Sequence, residues 1–112
     1  MVKYIMKVFD EQLYISTPIN KLIIIGLHLV LERKKECSFQ DLVEKCFGLF
    51  PKTFQFENHS EWPDTKKLDR PIRTLRNQGL LIGDSKTGLL LTSKGKKLAI
   101  NLSSIFTQKK LL

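Results

Sequence analysis

Four polar residues in the middle of the chain are spaced so that they would share one face of a helix. They recur at intervals of four, three and four positions and are Lys66, Arg70, Arg73 and Asn77. Because successive helical residues advance by about 100°, these side chains lie opposite a narrow apolar stripe. That stripe consists of Leu68, Ile72 and Leu75. Such a helix could lie in a DNA groove, although an ordinary solvated helix face has the same pattern.

The net charge of the chain favours a polyanionic partner. Nineteen Lys and Arg stand against eleven Asp and Glu, which gives +8 over 112 residues. Between residues 63 and 97 there are nine Lys or Arg and three Asp, so this segment carries +6 of the excess. Nucleic acid and anionic membrane surfaces attract such a charge, but small domains are also basic for solubility alone. A hydrophobic content of 42% predicts one soluble globular domain over residues 1–112.

Other reactive side chains give little sign of catalysis or metal binding. Cys37 and Cys46 belong to no C-x-x-C motif, and His28 and His59 to no H-x-x-x-H motif. We therefore expect two reduced, partly buried thiols in a cytosolic protein, with neither a zinc site nor a disulfide. The chain has no G-x-S-x-G, Walker or H-E-x-x-H motif, so we expect neither enzymatic activity nor a cofactor.

No targeting segment is expected. The N-terminal apolar run is interrupted by Lys3, Lys7 and Asp10, too early for the core of a signal peptide. The longest apolar stretch, residues 22–31, is about half a membrane span. A cytoplasmic location without membrane contact follows as the expectation.

The first firm helix is predicted to begin at Pro18, with Ser16 or Thr17 as its cap. Proline suits the first helical position because the missing amide hydrogen would have no partner there. Residues 19–31 are apolar nearly all round, which indicates a central core helix. Residues 1–15 fit a helix and a strand equally well.

A second helix is predicted from Ser38, where Asp41 three positions on completes a capping box. Its apolar residues follow helical spacing as far as Phe47, and Gly48 then lets the chain turn out. Four aromatic side chains follow in residues 48–63, namely Phe50, Phe54, Phe56 and Trp62. We expect them to pack onto the domain, since two of them alternate like a half-buried strand. The alternative is an exposed aromatic patch that stacks on bases or docks a partner.

The third helix follows Asp64, which can cap it, and ends at Gln78-Gly79. Pro71 would either kink this helix or mark its true start, with Asp69 as the cap. Residues 80–82 and 89–91 are predicted strands, and residues 83–88 form the hairpin tip between them. Thr92 or Ser93 caps a last helix.

This order of elements resembles the winged helix-turn-helix transcription regulators of bacteria and archaea. The resemblance is carried by R-T-L-R-N-Q-G-L-L at 73–81 and T-G-L-L-L-T-S-K-G-K-K-L-A at 87–99. In that family a leucine-bearing helix runs into a glycine and a hydrophobic strand, and a wing hairpin leads to L-T-x-x-G. The matching positions are Leu75, Gly79, Leu80, Leu91, Thr92 and Gly95. The resemblance implies a mainly α fold with a small β-hairpin wing, three core helices and a C-terminal helix. Its core would span residues 17–100, with 1–15 as an N-terminal extension and 101–112 as the end of the C-terminal helix.

The resemblance further implies binding to double-stranded DNA in transcription regulation, with the third helix in the major groove and the wing on the backbone. The base-reading candidates are Lys66, Arg70, Arg73, Thr74 and Asn77, since Arg suits guanine and Asn suits adenine. Candidates for phosphate contacts are Lys67 and Arg76 on the helix. Lys86 and Thr87 would lie on the wing.

Two features depart from the family pattern. Sixteen residues separate Phe47 from Asp64, where a helix-turn-helix has a turn of three or four. Pro71 lies inside the reading helix. Both features favour the alternative of a winged-helix module that binds proteins and not DNA. The resemblance also implies a homodimer, for which the apolar surplus in residues 2–14 and 98–106 could form the interface.

Overall fold

The computed structural model describes residues 9–84 and 86–111, with side chains through residue 106. In this part the chain forms six helices and two antiparallel hairpins, so the prediction of a mainly α fold with a β-hairpin before the last helix is confirmed. The helices are α1 (Glu11–Ile15), α2 (Ile19–Leu31), α3 (Phe39–Leu49), α4 (Pro51–Phe54), α5 (Lys66–Asn77) and α6 (Ser93–Leu111). The strands are β1 (Gln55–Phe56), β2 (His59–Pro63), β3 (Leu81–Asp84) and β4 (Gly88–Leu91).

Helix α2 is the centre of the core, as its apolar sequence predicted. It packs against α3, α5 and α6, and its residues 22–27 are all buried. The predicted start is one residue too early, because Pro18 is the N-cap and Ile19 begins the helix. The hydroxyls of Ser16 and Thr17 donate to the carbonyl of Leu13 at 2.9 and 2.8 Å. They therefore close the end of α1 and do not cap α2.

The capping box of α3 is confirmed. Ser38 Oγ accepts from the Asp41 amide at 3.0 Å, and Asp41 Oδ2 accepts from the Ser38 amide at 3.3 Å. The Lys34 ammonium, 3.0 Å from the same carboxylate, and these contacts with Ser38 lower the pKa of Asp41. The helix does not stop at Gly48, since it continues to Leu49 before Pro51 begins α4.

The segment between α3 and α5 is folded, with helix α4 leading into the β1–β2 hairpin. Phe50 and Phe54, four positions apart, are buried, as predicted for them. The packing prediction is wrong for Phe56 and Trp62, which are 41% and 52% exposed. The physical reason is the tight turn at Asn58, with φ 67°, which folds the strands into a hairpin beyond the core.

The β3–β4 hairpin is attached to the helical core at several points. Cys37, just before α3, exchanges two backbone hydrogen bonds with Leu89, of 3.2 and 2.8 Å. Strand β3 begins at Leu81, one residue later than predicted. Gly83 and Gly88 were predicted to lie in the hairpin tip, but they belong to β3 and β4. A Cβ on Gly83 would lie 2.0 Å from the Gly88 carbonyl oxygen, so only glycine allows this close approach.

Helix α6 begins where the sequence predicted. Thr92 Oγ1 accepts from the Gly95 amide at 3.0 Å and donates to the Gly79 carbonyl at 2.7 Å. Leu102 and Phe106 face the core of their own domain, whereas Ile105 is 49% exposed. No helix in residues 9–84 and 86–111 has both the length and the apolar character needed to cross a membrane.

Candidate nucleic-acid interface

Helix α5 presents the predicted polar face to solvent. The side chains of Lys66, Arg70, Arg73 and Asn77 are all exposed. At a rise of about 1.5 Å per residue, the eleven steps between the outermost two span about 16 Å. The opposite stripe is buried, with Leu68, Ile72 and Leu75 each at most 5% exposed. The structure therefore brings together the four residues whose spacing first suggested an interface.

Local sequence explains why α5 starts where it does and contains a proline. The carboxylate of Asp64 accepts a hydrogen bond from the Lys66 amide at 3.1 Å. Asp64 lies one position before Thr65, which is the N-cap residue of α5. Pro71 lies inside the helix with its ring buried beside the apolar stripe, so the alternative start at Asp69 is wrong. Proline cannot donate a hydrogen bond to the carbonyl four residues earlier, but its ring adds to the buried face.

Two cations predicted to contact phosphate also connect α5 to the neighbouring segments of the domain. Lys67 Nζ donates to the carbonyls of Thr53 and Gln55 at 2.9 and 3.3 Å. Arg76 Nε donates to the Gly83 carbonyl at 2.9 Å and is half-buried. Each charge still adds to the local positive potential, but these contacts fix the two hairpins against opposite ends of the helix. Thr74 is half-buried on α5.

The turn of the β3–β4 hairpin is organised by a carboxylate. Asp84 Oδ1 accepts from the amides of Lys86 and Thr87 at 2.8 and 2.9 Å and from the Thr87 hydroxyl at 3.1 Å. These hydrogen bonds, with the Thr87 amide the largest contribution, lower the pKa of Asp84. The Lys86 side chain remains exposed at the turn, while the Thr87 hydroxyl is engaged.

The exposed cations of this surface have no acidic partner in the described residues. Neither ion pair found there, His28–Glu32 and Lys34–Asp41, involves α5 or the β3–β4 turn. Because none of these cations lies within ion-pair distance of a carboxylate in the described residues, their charge is available to an approaching ligand.

The thiols play no part in this surface. Cys37 and Cys46 are free and fully buried, where the sequence predicted partial burial. Burial raises the pKa of Cys37 to about 12, and it raises the pKa of Cys46 as well. Among the described residues, no group of three or more His, Cys, Asp or Glu is arranged to hold a metal ion.

The alternative of an exposed aromatic patch, which the sequence favoured less than packing, is what the β1–β2 hairpin presents at Phe56 and Trp62. His59 stacks on Trp62 with ring centroids 4.3 Å apart, and Phe56 lies 6.1 and 6.4 Å from these two rings. Asn58 was the available signal, since Asn tolerates the left-handed conformation of a tight turn. We call Phe56, His59 and Trp62 the aromatic hairpin surface.

Comparison with known proteins identified no relative. No protein-family model matches the chain, and neither a curated protein nor a solved structure matches it. The chemistry of the surface residues therefore carries the functional argument.

Proposed function

We propose that this chain is a winged helix-turn-helix protein that binds double-stranded DNA and regulates transcription. In this proposal α5 enters the major groove and the β3–β4 hairpin acts as the wing on the DNA backbone. The protein has no catalytic role and works in the cytoplasm.

One observation carries the proposal, namely the exposed polar face of α5. A surface helix needs only a few polar residues for solubility, but five of the twelve residues of α5 are Lys or Arg and one is Asp. Three of those cations share a face with Asn77 and have no acidic partner in the described residues. A helix of this diameter fits the major groove, which is about 12 Å wide.

The contacts within the domain divide the candidate residues by role. Arg70, Arg73 and Asn77 have exposed polar groups suited to base edges. Lys66 at the start of α5 and Lys86 at the hairpin turn suit phosphates. Lys67, Thr74, Arg76 and Thr87 contribute less direct contact, because each is half-buried or engaged by the domain.

The test is binding of the intact protein to mixed-sequence duplex DNA across a salt series. If four to six phosphates are neutralised, log affinity falls against log salt with a slope of about −4 to −5. Binding that is absent at low salt would refute the proposal.

The aromatic hairpin surface favours a second candidate function, a winged-helix module that docks proteins. Phe56 and Trp62 are exposed directly before α5, where a helix-turn-helix has only a short turn. Exposed aromatic side chains are common at the centres of protein interfaces. This candidate predicts no duplex binding at low salt and a stable complex with a protein partner.

A homodimer through residues 2–14 and 98–106 remains part of the proposal. Residues 2–8 lie outside the described residues, and Tyr14, Leu102 and Phe106 are used in the core of the same chain. Ile100 and Ile105 are about half exposed and are the apolar side chains that support this interface. Sedimentation that shows only monomer at micromolar concentration would contradict it.

A further inference from the structure

A cleft in the described part of the chain combines an apolar floor with a basic rim. It has a volume of about 690 Å³ and lies between the end of α2, strand β4 and the start of α6. Its floor includes Leu90 and Ile100, which are 37% and 52% exposed. Its rim carries Arg33, Lys35 and Lys96, which form no ion pair with the described carboxylates. One carboxylate, Glu32, also lines the cleft and lies 3.5 Å from His28, so the three cations outnumber it. We call this site the basic cleft. Its occupant should be both apolar and acidic.

The aromatic hairpin surface has the complementary chemistry. Residues 55–63 contain two glutamates and no Lys or Arg, so this hairpin carries −2 on a chain whose net charge is +8. Glu57 and Glu61 are exposed on the same hairpin as the half-exposed rings of Phe56 and Trp62. Carboxylates beside DNA would be repelled by phosphate, so the hairpin suits a basic protein surface better than a nucleic acid.

We propose that the aromatic hairpin surface of one copy of this chain docks into the basic cleft of a second copy. Trp62 and Phe56 would cover the apolar floor of the cleft, and Glu57 and Glu61 would meet its three rim cations. The occupant is a second copy because the same chain supplies both halves of a complementary pair, apolar against apolar and acid against base. The two surfaces are built from different elements and share no residue. Because Ile100 of the cleft floor also belongs to the symmetric homodimer interface proposed above, this contact and that homodimer are alternatives.

Such a contact is heterologous, because two different patches meet. Each bound pair leaves one hairpin and one cleft available, so association continues into short chains or a closed ring. One hairpin buries a small area, which belongs to the weak and transient class of interfaces. The attraction between rim cations and glutamates is screened beyond about 8–10 Å at moderate salt. Assembly should therefore be concentration-dependent and weaker at high salt.

The test uses two variants that each damage one half of the contact. The hairpin variant is Glu61→Lys/Trp62→Ala, and the cleft variant is Lys35→Glu/Lys96→Glu. All four positions are exposed, so folding should be retained, and thermal melts check this for both proteins. Sedimentation without DNA should show wild-type association rising with concentration up to about 0.5 mM. Each variant alone should associate at least about tenfold more weakly.

Mixing the two variants gives the decisive readout. The cleft variant keeps an intact hairpin, and the hairpin variant keeps an intact cleft, so one contact can form between them. Because the other hairpin and the other cleft of that pair are damaged, the mixture should form a 1:1 complex and no larger assembly. A matched control, Lys21→Glu/Lys97→Glu, changes two exposed lysines outside both surfaces and should associate like the wild type at equal salt.

Three outcomes would overturn the proposal. The first is a wild-type protein that stays monomeric at about 0.5 mM. This outcome overturns the proposal even if the cleft binds the anionic probe anilinonaphthalene sulfonate. The second is a pair of folded variants that associate like the wild type, as a symmetric dimer through residues 98–106 would. The third is a mixture that forms no 1:1 complex.

Discussion

The substitution Gly95→Ala tests how closely α6 approaches the strand that follows α5. An added Cβ would lie 1.9 Å from the Leu80 carbonyl oxygen and 3.1 Å from a methyl group of Leu91. Because Cβ atoms stay at least 3.0 Å from such an oxygen, the two backbones would have to separate by about 1.1 Å. This close approach explains physically why glycine occupies the last position of the T-S-K-G sequence at 92–95.

The expected destabilisation follows from the contacts that this separation disturbs. The hydrogen bonds from the Thr92 amide to Leu80, at 3.2 Å, and from the Gly95 amide to Thr92, at 3.0 Å, stabilise by about 1 kcal/mol each. Overpacking against backbone costs about 2 kcal/mol more, while alanine in a helix gains about 1 kcal/mol over glycine. We expect a net loss of about 3 kcal/mol, or at least ~12 °C in Tm.

The assay is urea unfolding followed by circular dichroism, with Gly79→Ala as the matched control. Gly79 has φ +76° and nothing within 4 Å of an added Cβ. In that variant alanine is strained by the positive φ, but its Cβ overlaps no other atom. Its free energy of unfolding should therefore fall by only about 1 kcal/mol. If Gly95→Ala is as stable as the wild type, or loses no more than the control, the inferred contact between α6 and Leu80 is wrong.

Three further predictions concern the core, the thiols and the hairpin turn. Gly26→Ala would place a Cβ 2.7 Å from Cys46 Sγ, so it should destabilise the protein by about 1–2 kcal/mol. In a Cys46→Ala background the sulfur is absent, so the same substitution should be neutral or stabilising. Denaturant unfolding of the four proteins measures this, and additive effects would contradict it. Because burial raises the pKa of Cys37 to about 12 and also that of Cys46, a thiol reagent at pH 8 should label either only after unfolding. Rapid labelling of the folded protein would refute that assignment. The hydrogen bonds from Thr87 and from the Lys86 amide lower the pKa of Asp84 in the folded protein. Their contribution to the free energy of unfolding is therefore complete above the ordinary carboxyl pKa, and it is lost as the pH falls through the lower pKa of the folded state. An NMR titration of the Asp84 carboxyl should have its midpoint below about 3.9, and a midpoint at or above that value counts against the turn geometry.

Features set by local chemistry were predictable from the sequence. The capping box at Ser38 and Asp41 forms as expected because the two side chains satisfy amides within one helical turn. The buried stripe of α5 follows from helical period alone. The same spacing correctly placed Arg70 and Arg73 on the exposed side of that helix.

Features set by tertiary contacts were not predictable. The sequence of residues 48–63 has enough aromatic side chains for a core, and only the fold shows that Phe50 and Phe54 fill it and leave Trp62 outside. Lys67 and Arg76 carry the same charge as their neighbours, so composition could not show that they donate to the hairpin carbonyls of Gln55 and Gly83. Such contacts depend on which backbone groups come near the side chain, and spacing along one helix does not contain that information.

Duplex binding by the double variant Arg70→Glu/Arg73→Glu tests the proposed role of α5 most directly. The control is Lys21→Glu/Lys97→Glu, which makes the same charge change at exposed positions that belong neither to α5 nor to either hairpin. We measure affinity for one mixed-sequence duplex across a salt series. The α5 variant should bind at least about tenfold more weakly than the control, because two cations that face the base edges become anions in the groove. Equal affinity for the two variants would show that α5 is not the DNA-binding surface.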